Sequence, residues 1–162
     1  MSDPRIERAI ELEARYPVAA DILRIYRKLI ARSTGIPACV PSSPGACPRC
    51  GAKPVAAVLR PEGDGGKRFL LCSICFTEWE FRRVLCPNCG EEAPEKLPVY
   101  TAEEYPHIRV EACETCKVYI KSIDMTRDGL AVPEVDELAS VAVDLWAKEK
   151  GYTKLQPNLF GL

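Results

Sequence analysis

The sequence holds a single histidine in 162 residues, and no apolar run approaches the roughly 18 residues that span a bilayer. Its opening, "MSDPRIERAIELEARYP", has no apolar stretch of the kind that forms a signal peptide. With one histidine, metal ligation falls to cysteine. With no membrane helix and no export signal, a cytoplasmic, reducing setting is expected, so the repeated C-x-x-C pairs, which take up eight of the nine cysteines, read as metal ligands and not as disulfides. Two further absences narrow the function. No C-x-x-C pair opens a helix after a strand, the context that depresses a thiol pKa in thiol oxidoreductases. The C-x-x-C-x-G-x-G repeat of general zinc chaperones is also missing.

What is present begins with two predicted helices. Asp3 and Pro4 form a cap and first-turn proline, with Ile6, Ala9 and Ile10 as a stripe. In "PVAADILRIYRKLIARSTG", Val18, Ile22, Ile25, Tyr26 and Leu29 follow the helical period, while Asp21, Arg24, Arg27, Lys28 and Arg32 face away. "GIPACVPSSPGA" has no periodicity and reads as a linker. A repeat follows: a CPxCG turn, a strand, a polar loop, a second strand, then a plain C-x-x-C turn entering a third strand. The expected organisation is a helical arm over 1–34, a linker over 35–46, a first four-cysteine ribbon over 47–85, a second over 86–133, and a C-terminal helix and tail over 134–162. The class is α+β, with tandem zinc-ribbon β units flanked by helices.

Two thiolates separated by two residues reach one metal through a tight turn. Pro48 and Pro87 preset φ in these turns, and Gly51 and Gly90 permit the positive φ that aims backbone N–H groups at sulfur. Two such turns supply four ligands and leave no position open for water or substrate, so the sites are structural or electron-carrying and not hydrolytic. The inner cysteines are separated by 21 residues (Cys50 to Cys72) and 23 residues (Cys89 to Cys113). Duplication favours sequential pairing, with Cys47, Cys50, Cys72 and Cys75 on one ion and Cys86, Cys89, Cys113 and Cys116 on the other. In the cross-braced alternative the first pair joins the third. Spacing does not separate iron from zinc, since both accept tetrahedral sulfur.

The formal net charge is −1, and eight thiolates with two divalent ions bring it to about −5. That weighs against the main rival reading, a zinc-ribbon nucleic-acid or transcription module. In the connector "TEWEFRRV", strand alternation sends Trp79, Phe81 and Arg83 to one face and Glu78, Glu80 and Arg82 to the other, with Trp79 filling the seam between the repeats. Arg82 and Arg83, with Lys117 and Lys121, are the expected partner-binding charges beside the metal sites. A C-terminal helix is expected to pack through Leu138, Val141, Ala142, Leu145 and Trp146 and to stop at Gly151. Cys39 reads as a spectator thiol in the linker, and His107 as a surface-loop residue.

"CPRCGAKPV", "LLCSICFTEWEFRRVLCPNCG", "RVEACETCKVYIKSIDMTRDGL", "PEVDELASVAVDLWAKEKGY" and the terminal "NLFG" together resemble the formate dehydrogenase accessory protein family, FdhE, and "RYPVAADILRIYRKLI" is similar to its early helical segment. The resemblance implies a non-catalytic, cytoplasmic assembly factor that binds the molybdenum- or tungsten-containing catalytic subunit of formate dehydrogenase. It also implies rubredoxin-like sites holding iron on the eight cysteines of the two sets. The family's longer helical region before the first CPxCG is not matched here.

Overall fold

The strands are dictated by two kinds of sequence. "AAVL" is apolar without alternation, as befits a strand covered on both faces, whereas "YPHIRVEA" alternates, with Ile108, Val110 and Ala112 directed inward. In a computed structural model, which describes residues 43–63, 65–158 and 160–162, these become β1 (Pro54–Glu62) and β5 (Tyr105–Ala112). The others are β2 (Gly65–Cys72), β3 (Glu78–Glu80), β4 (Val99–Ala102), β6 (Val118–Asp124) and β7 (Thr153–Lys154). Each repeat follows the expected plan of turn, strand, strand, turn, strand. The two repeats then merge into one mixed seven-stranded sheet ordered β3-β2-β1-β6-β5-β4, with β7 also on β6. The seam is backbone: β1 pairs parallel with β6 through Ala57↔Ser122, Val58↔Ile123 and Leu59↔Asp124. The pairs within each repeat are antiparallel. Trp79 packs beside the seam, against a cluster of Ala57, Leu70, Ile120 and Leu155 that draws on both repeats.

The connector is only partly strand. β3 ends at Glu80, so Arg82 and Arg83 lie in an irregular segment and not on alternating faces. Arg68 holds that segment down: its buried guanidinium donates to the Arg82 carbonyl at 2.8 Å and pairs with Glu111 at 2.6 Å. His107 is also displaced from expectation. It lies within β5, only 20% of its side chain accessible, with Nε2 3.6 Å from Asp136.

The C-terminal region forms two short helices, α1 (Pro133–Ala139) and α2 (Val141–Glu149), that meet at Ser140. This corrects the single apolar-faced helix read from the sequence. The inward residues are Pro133, Glu137, Ser140, Asp144 and Ala147, while Leu145 is 48% exposed. The reason is Lys121, which β6 places under the helices with none of its surface exposed. A buried ammonium must be paired. Lys121 Nζ meets Asp144 at 2.7 Å, Ser140 Oγ at 3.0 Å and Glu137 at 3.3 Å. Lys154 joins the same two carboxylates, and Asn158 donates to both. Burial, and Lys154 nearby, push the Lys121 pKa down. The apolar part of the expected face that does pack is Trp146, with Val143 and Ala147 against Tyr100, Val110, Tyr119 and Tyr152. The predicted arm and most of the linker, including Cys39, lie outside the described residues.

Candidate metal centres

All four C-x-x-C turns share one backbone device. The residue after the second cysteine is left-handed in each: Gly51 (φ 72), Phe76 (φ 53), Gly90 (φ 78) and Lys117 (φ 56). In the CPxCG turns glycine supplies this without strain; in the plain turns a side-chain-bearing residue is held there, at a cost of about 1–2 kcal/mol. The turns close with N–H groups of Gly51, Gly90 and Lys117 donating to the carbonyls of Cys47, Cys86 and Cys113 at 2.8–3.0 Å. The left-handed positions at Phe76 and Lys117 were not read from the sequence, although the repeat itself was the signal: four turns performing one task need one geometry.

These turns bring the cysteines into two sets, Cys47, Cys50, Cys72, Cys75 and Cys86, Cys89, Cys113, Cys116, each with its sulfurs within 4.8 Å of one another. The grouping is the sequential one. Measured Sγ separations are 3.4 Å (Cys50 to Cys72), 3.6 Å (Cys47 to Cys75, Cys50 to Cys75) and 3.7 Å (Cys86 to Cys116, Cys89 to Cys113). Disulfides, at about 2.05 Å, are far shorter. A metal–sulfur bond of about 2.3 Å sets the edge of a sulfur tetrahedron at about 3.8 Å. The donors thus fit a tetrahedrally bound ion. As free thiols the set is electrostatically frustrated: burial pushes Cys47 up to about 11, while the hydrogen bond with Cys72 holds Cys50 down to about 5. A divalent cation resolves that conflict.

The first set is covered by Trp79, Ile74 and Ala52, and its sulfurs accept from the N–H groups of Arg49 and Ile74 at 3.4 Å and contact the Thr77 hydroxyl at 3.1 Å. The second set is more open, with Cys89 exposed among the described residues. Glu91 ties its two turns together, accepting from the Thr115 hydroxyl at 2.5 Å and from the Ala93 N–H at 3.1 Å. Those bonds, Thr115 first, lower its pKa to about 2. The two sets are braced by a strap. Gly45 N donates to the Pro87 carbonyl at 2.9 Å, and a Cβ on Gly45 would lie 2.4 Å from that of Pro87.

The expected partner-binding charges do not stay together. Arg82 is exposed and paired with Glu92 at 2.8 Å, Arg83 is exposed, and Lys117 is exposed beside Glu114 and 5.6 Å from the Tyr152 ring. Lys121 is interior, so its expected surface role is withdrawn: its charge is consumed by Glu137 and Asp144.

Paired knuckles presenting four thiolates each, joined through one sheet and backed by C-terminal helices, define a tandem zinc-ribbon protein. Residues 46–83 match the model of the FdhE central domain and residues 84–160 that of the FdhE C-terminal domain. The chain belongs to the FdhE family. It is 43% identical over 116 residues to a "Protein FdhE homolog" of Aquifex aeolicus (strain VF5), covering 71% of this chain and 41% of that protein. It is 35% identical over 117 residues to that of Haemophilus influenzae (strain PittGG), covering 70% and 38%. A solved structure, of the FdhE protein from Pseudomonas aeruginosa, superposes with a TM-score of 0.64 at 35% identity, over 71% of this chain and 40% of that one. The chain thus spans about two fifths of the length of the relatives it matches.

Proposed function

We propose that this chain is a metal-binding accessory factor that acts in the cytoplasm, binds the catalytic subunit of a molybdenum- or tungsten-containing formate dehydrogenase, and is needed for that enzyme to mature, without catalysing a reaction itself. The observation carrying this reading is the conjunction of FdhE membership with two sulfur sets at tetrahedral spacing. Cys47, Cys50, Cys72 and Cys75 would hold one ion, and Cys86, Cys89, Cys113 and Cys116 the other. Four thiolates saturate a tetrahedral ion, so the chain's own contribution is to fix the turns and present the surface around them. The ion supplies cross-linking and, as iron, a one-electron couple. Iron is favoured and zinc is the alternative. Arg82, Arg83 and Lys117 are the partner-contact charges in this reading.

The test is complementation. In a cell lacking its own FdhE, the chain should restore formate-dependent dye reduction, and the double change Cys86→Ala, Cys89→Ala should abolish it. Dehydrogenase equally active without the chain sinks the reading. Metal analysis with a visible spectrum of re-oxidised protein distinguishes coloured ferric thiolate from colourless zinc.

A further inference from the structure

Beneath the connector that links the two repeats lies a cleft of about 220 Å³ at the foot of the second sulfur set, with Cys86 and Cys113 in its wall. Its apolar wall includes Val84, Leu97, Val99 and Ile120; Val84 is 42% and Val99 54% exposed at the rim. Since a cavity of about 150 Å³ holds benzene, such a volume has room for one apolar side chain.

The charged lining is unbalanced. Arg68, Arg83 and Arg109 face the cleft with a single carboxylate, Glu111. Arg68 is paired with Glu111, and Arg109 with the fully buried Asp124, which leaves the Arg83 guanidinium without an ion pair among the described residues. Two donors are also left over. The Nε–H groups of Arg68, whose side chain is 2% exposed, and of Arg109 have no hydrogen-bond partner among the described residues. Buried guanidinium donors without acceptors are costly and mark the wall as short of negative charge; the exposed Arg83 is where an arriving carboxylate can meet it. The neighbouring Arg82 does not compete, since Glu92 already neutralises it.

The geometry points to a peptide-recognition site that takes one apolar side chain with a carboxylate beside it, supplied by an acidic segment of a protein partner, the apolar group entering between Leu97 and Ile120 and the carboxylate meeting Arg83. This rests on the reading above that the chain binds another protein, and it narrows the contact made at this cleft: of the three charges proposed there, Arg83 lines the cleft, whereas Arg82 and Lys117 lie outside it. The assignment also puts the partner within reach of the more exposed of the two sulfur sets.

The experiment is a fluorescence-anisotropy titration of the full, metal-loaded chain into a labelled peptide with a central Leu-Asp, alongside peptides carrying Leu-Asn and Gly-Asp. The Leu-Asp peptide should bind, with each of the others about ten-fold weaker, the loss that accompanies removal of one charge-assisted hydrogen bond or one buried side chain. Arg83→Gln should weaken binding by about ten-fold at unchanged metal content, and Arg82→Gln by less than about two-fold. Absence of binding at millimolar protein overturns the assignment, as does equal binding of the Leu-Asn peptide or an equal effect of both arginine changes. If binding fails while a photo-crosslinker at Val84 captures this chain's own residues 17–32, the cleft is filled from within and the assignment is likewise wrong. No dehydrogenase enters this titration, so its failure leaves complementation intact, and a failure of complementation leaves the peptide result standing.

Discussion

The first and second four-cysteine units are copies of one plan that differ in what protects them. In the first, Cys47 and Cys72 are fully buried and Trp79 roofs the sulfurs, while β1 and β2, the strands between its two turns, both lie inside the sheet and not at its edge. In the second, Cys89 is exposed, and the apolar and ionic mass lies farther along its strands, where α1, α2 and Lys121 meet. One unit shields its metal site with side chains; the other relies on the Glu91 to Thr115 tie and spends its cover on the helices. A duplicated unit therefore need not duplicate its environment, because each copy has only one seam strand and the two use different ones: β1, the first strand of its unit, and β6, the last of its own.

The largest effect should come from cutting the metal out of one unit. Cys47→Ala removes a ligand from a site whose ion contributes on the order of 10 kcal/mol of ordering. Thiol trapping should then find Cys50, Cys72 and Cys75 reactive while Cys113 and Cys116 stay protected. Reaction of Cys86 and Cys89 in place of Cys72 and Cys75 would mean cross-bracing. In the unaltered protein a chelator should empty the second unit first, with Cys89 the first of the eight clustered thiols to be alkylated.

Next in size is Lys121→Met, which leaves two buried carboxylates with one ammonium between them. Loss of one partner from such a set costs about 3–5 kcal/mol. A denaturant midpoint lowered accordingly, with both metals retained in the folded fraction, would show that the helices and the sulfur sites are separately held. An unchanged midpoint would mean that the ionic cluster contributes nothing to the second unit.

Gly45→Ala sharpens the comparison at the point of contact between the units. Overpacking against Pro87 should cost about 1–3 kcal/mol and lift the strap from the second CPxCG turn. The readout is faster alkylation of Cys89 with the Cys72 rate unchanged; equal acceleration at both would mean the strap braces the first site as much as the second.

The smallest change goes in the opposite direction. Lys117→Gly relieves a left-handed residue and should raise stability by up to about 1 kcal/mol, since the exposed pair it gives up with Glu114 is worth less. A lowered midpoint would show that the Lys117 side chain over Tyr152 outweighs the backbone strain.

Much of the candidate site is legible in the chain because it is local. A C-x-x-C turn, the proline inside it and the glycine after it act over five residues, and the two-unit repeat follows from counting. The two groups of four cysteines and the order of turns and strands agree with that reading, and Trp79, expected to fill the seam, packs beside it. The C-terminal helices were misread for the converse reason. Leu138, Ala142 and Leu145 form a plausible apolar stripe, yet Glu137, Ser140 and Asp144 turn inward, because their partner Lys121 arrives from another strand.

By itself, then, the sequence determined the shape of the cysteine turns and the strand pattern between them, and favoured the sequential grouping that the structure shows over the cross-braced one, all of which depend on spacing along a few tens of residues. Tertiary structure alone decided that β1 and β6 would lie side by side in parallel, that Lys121 would be interior and Arg83 without an ion pair among the described residues, and that Gly45 would press on Pro87. The physical reason is that ion pairing, burial and close approach are properties of the neighbours a residue meets. Here those neighbours are brought from the other repeat or from the helices by the joining of two ribbons into one sheet.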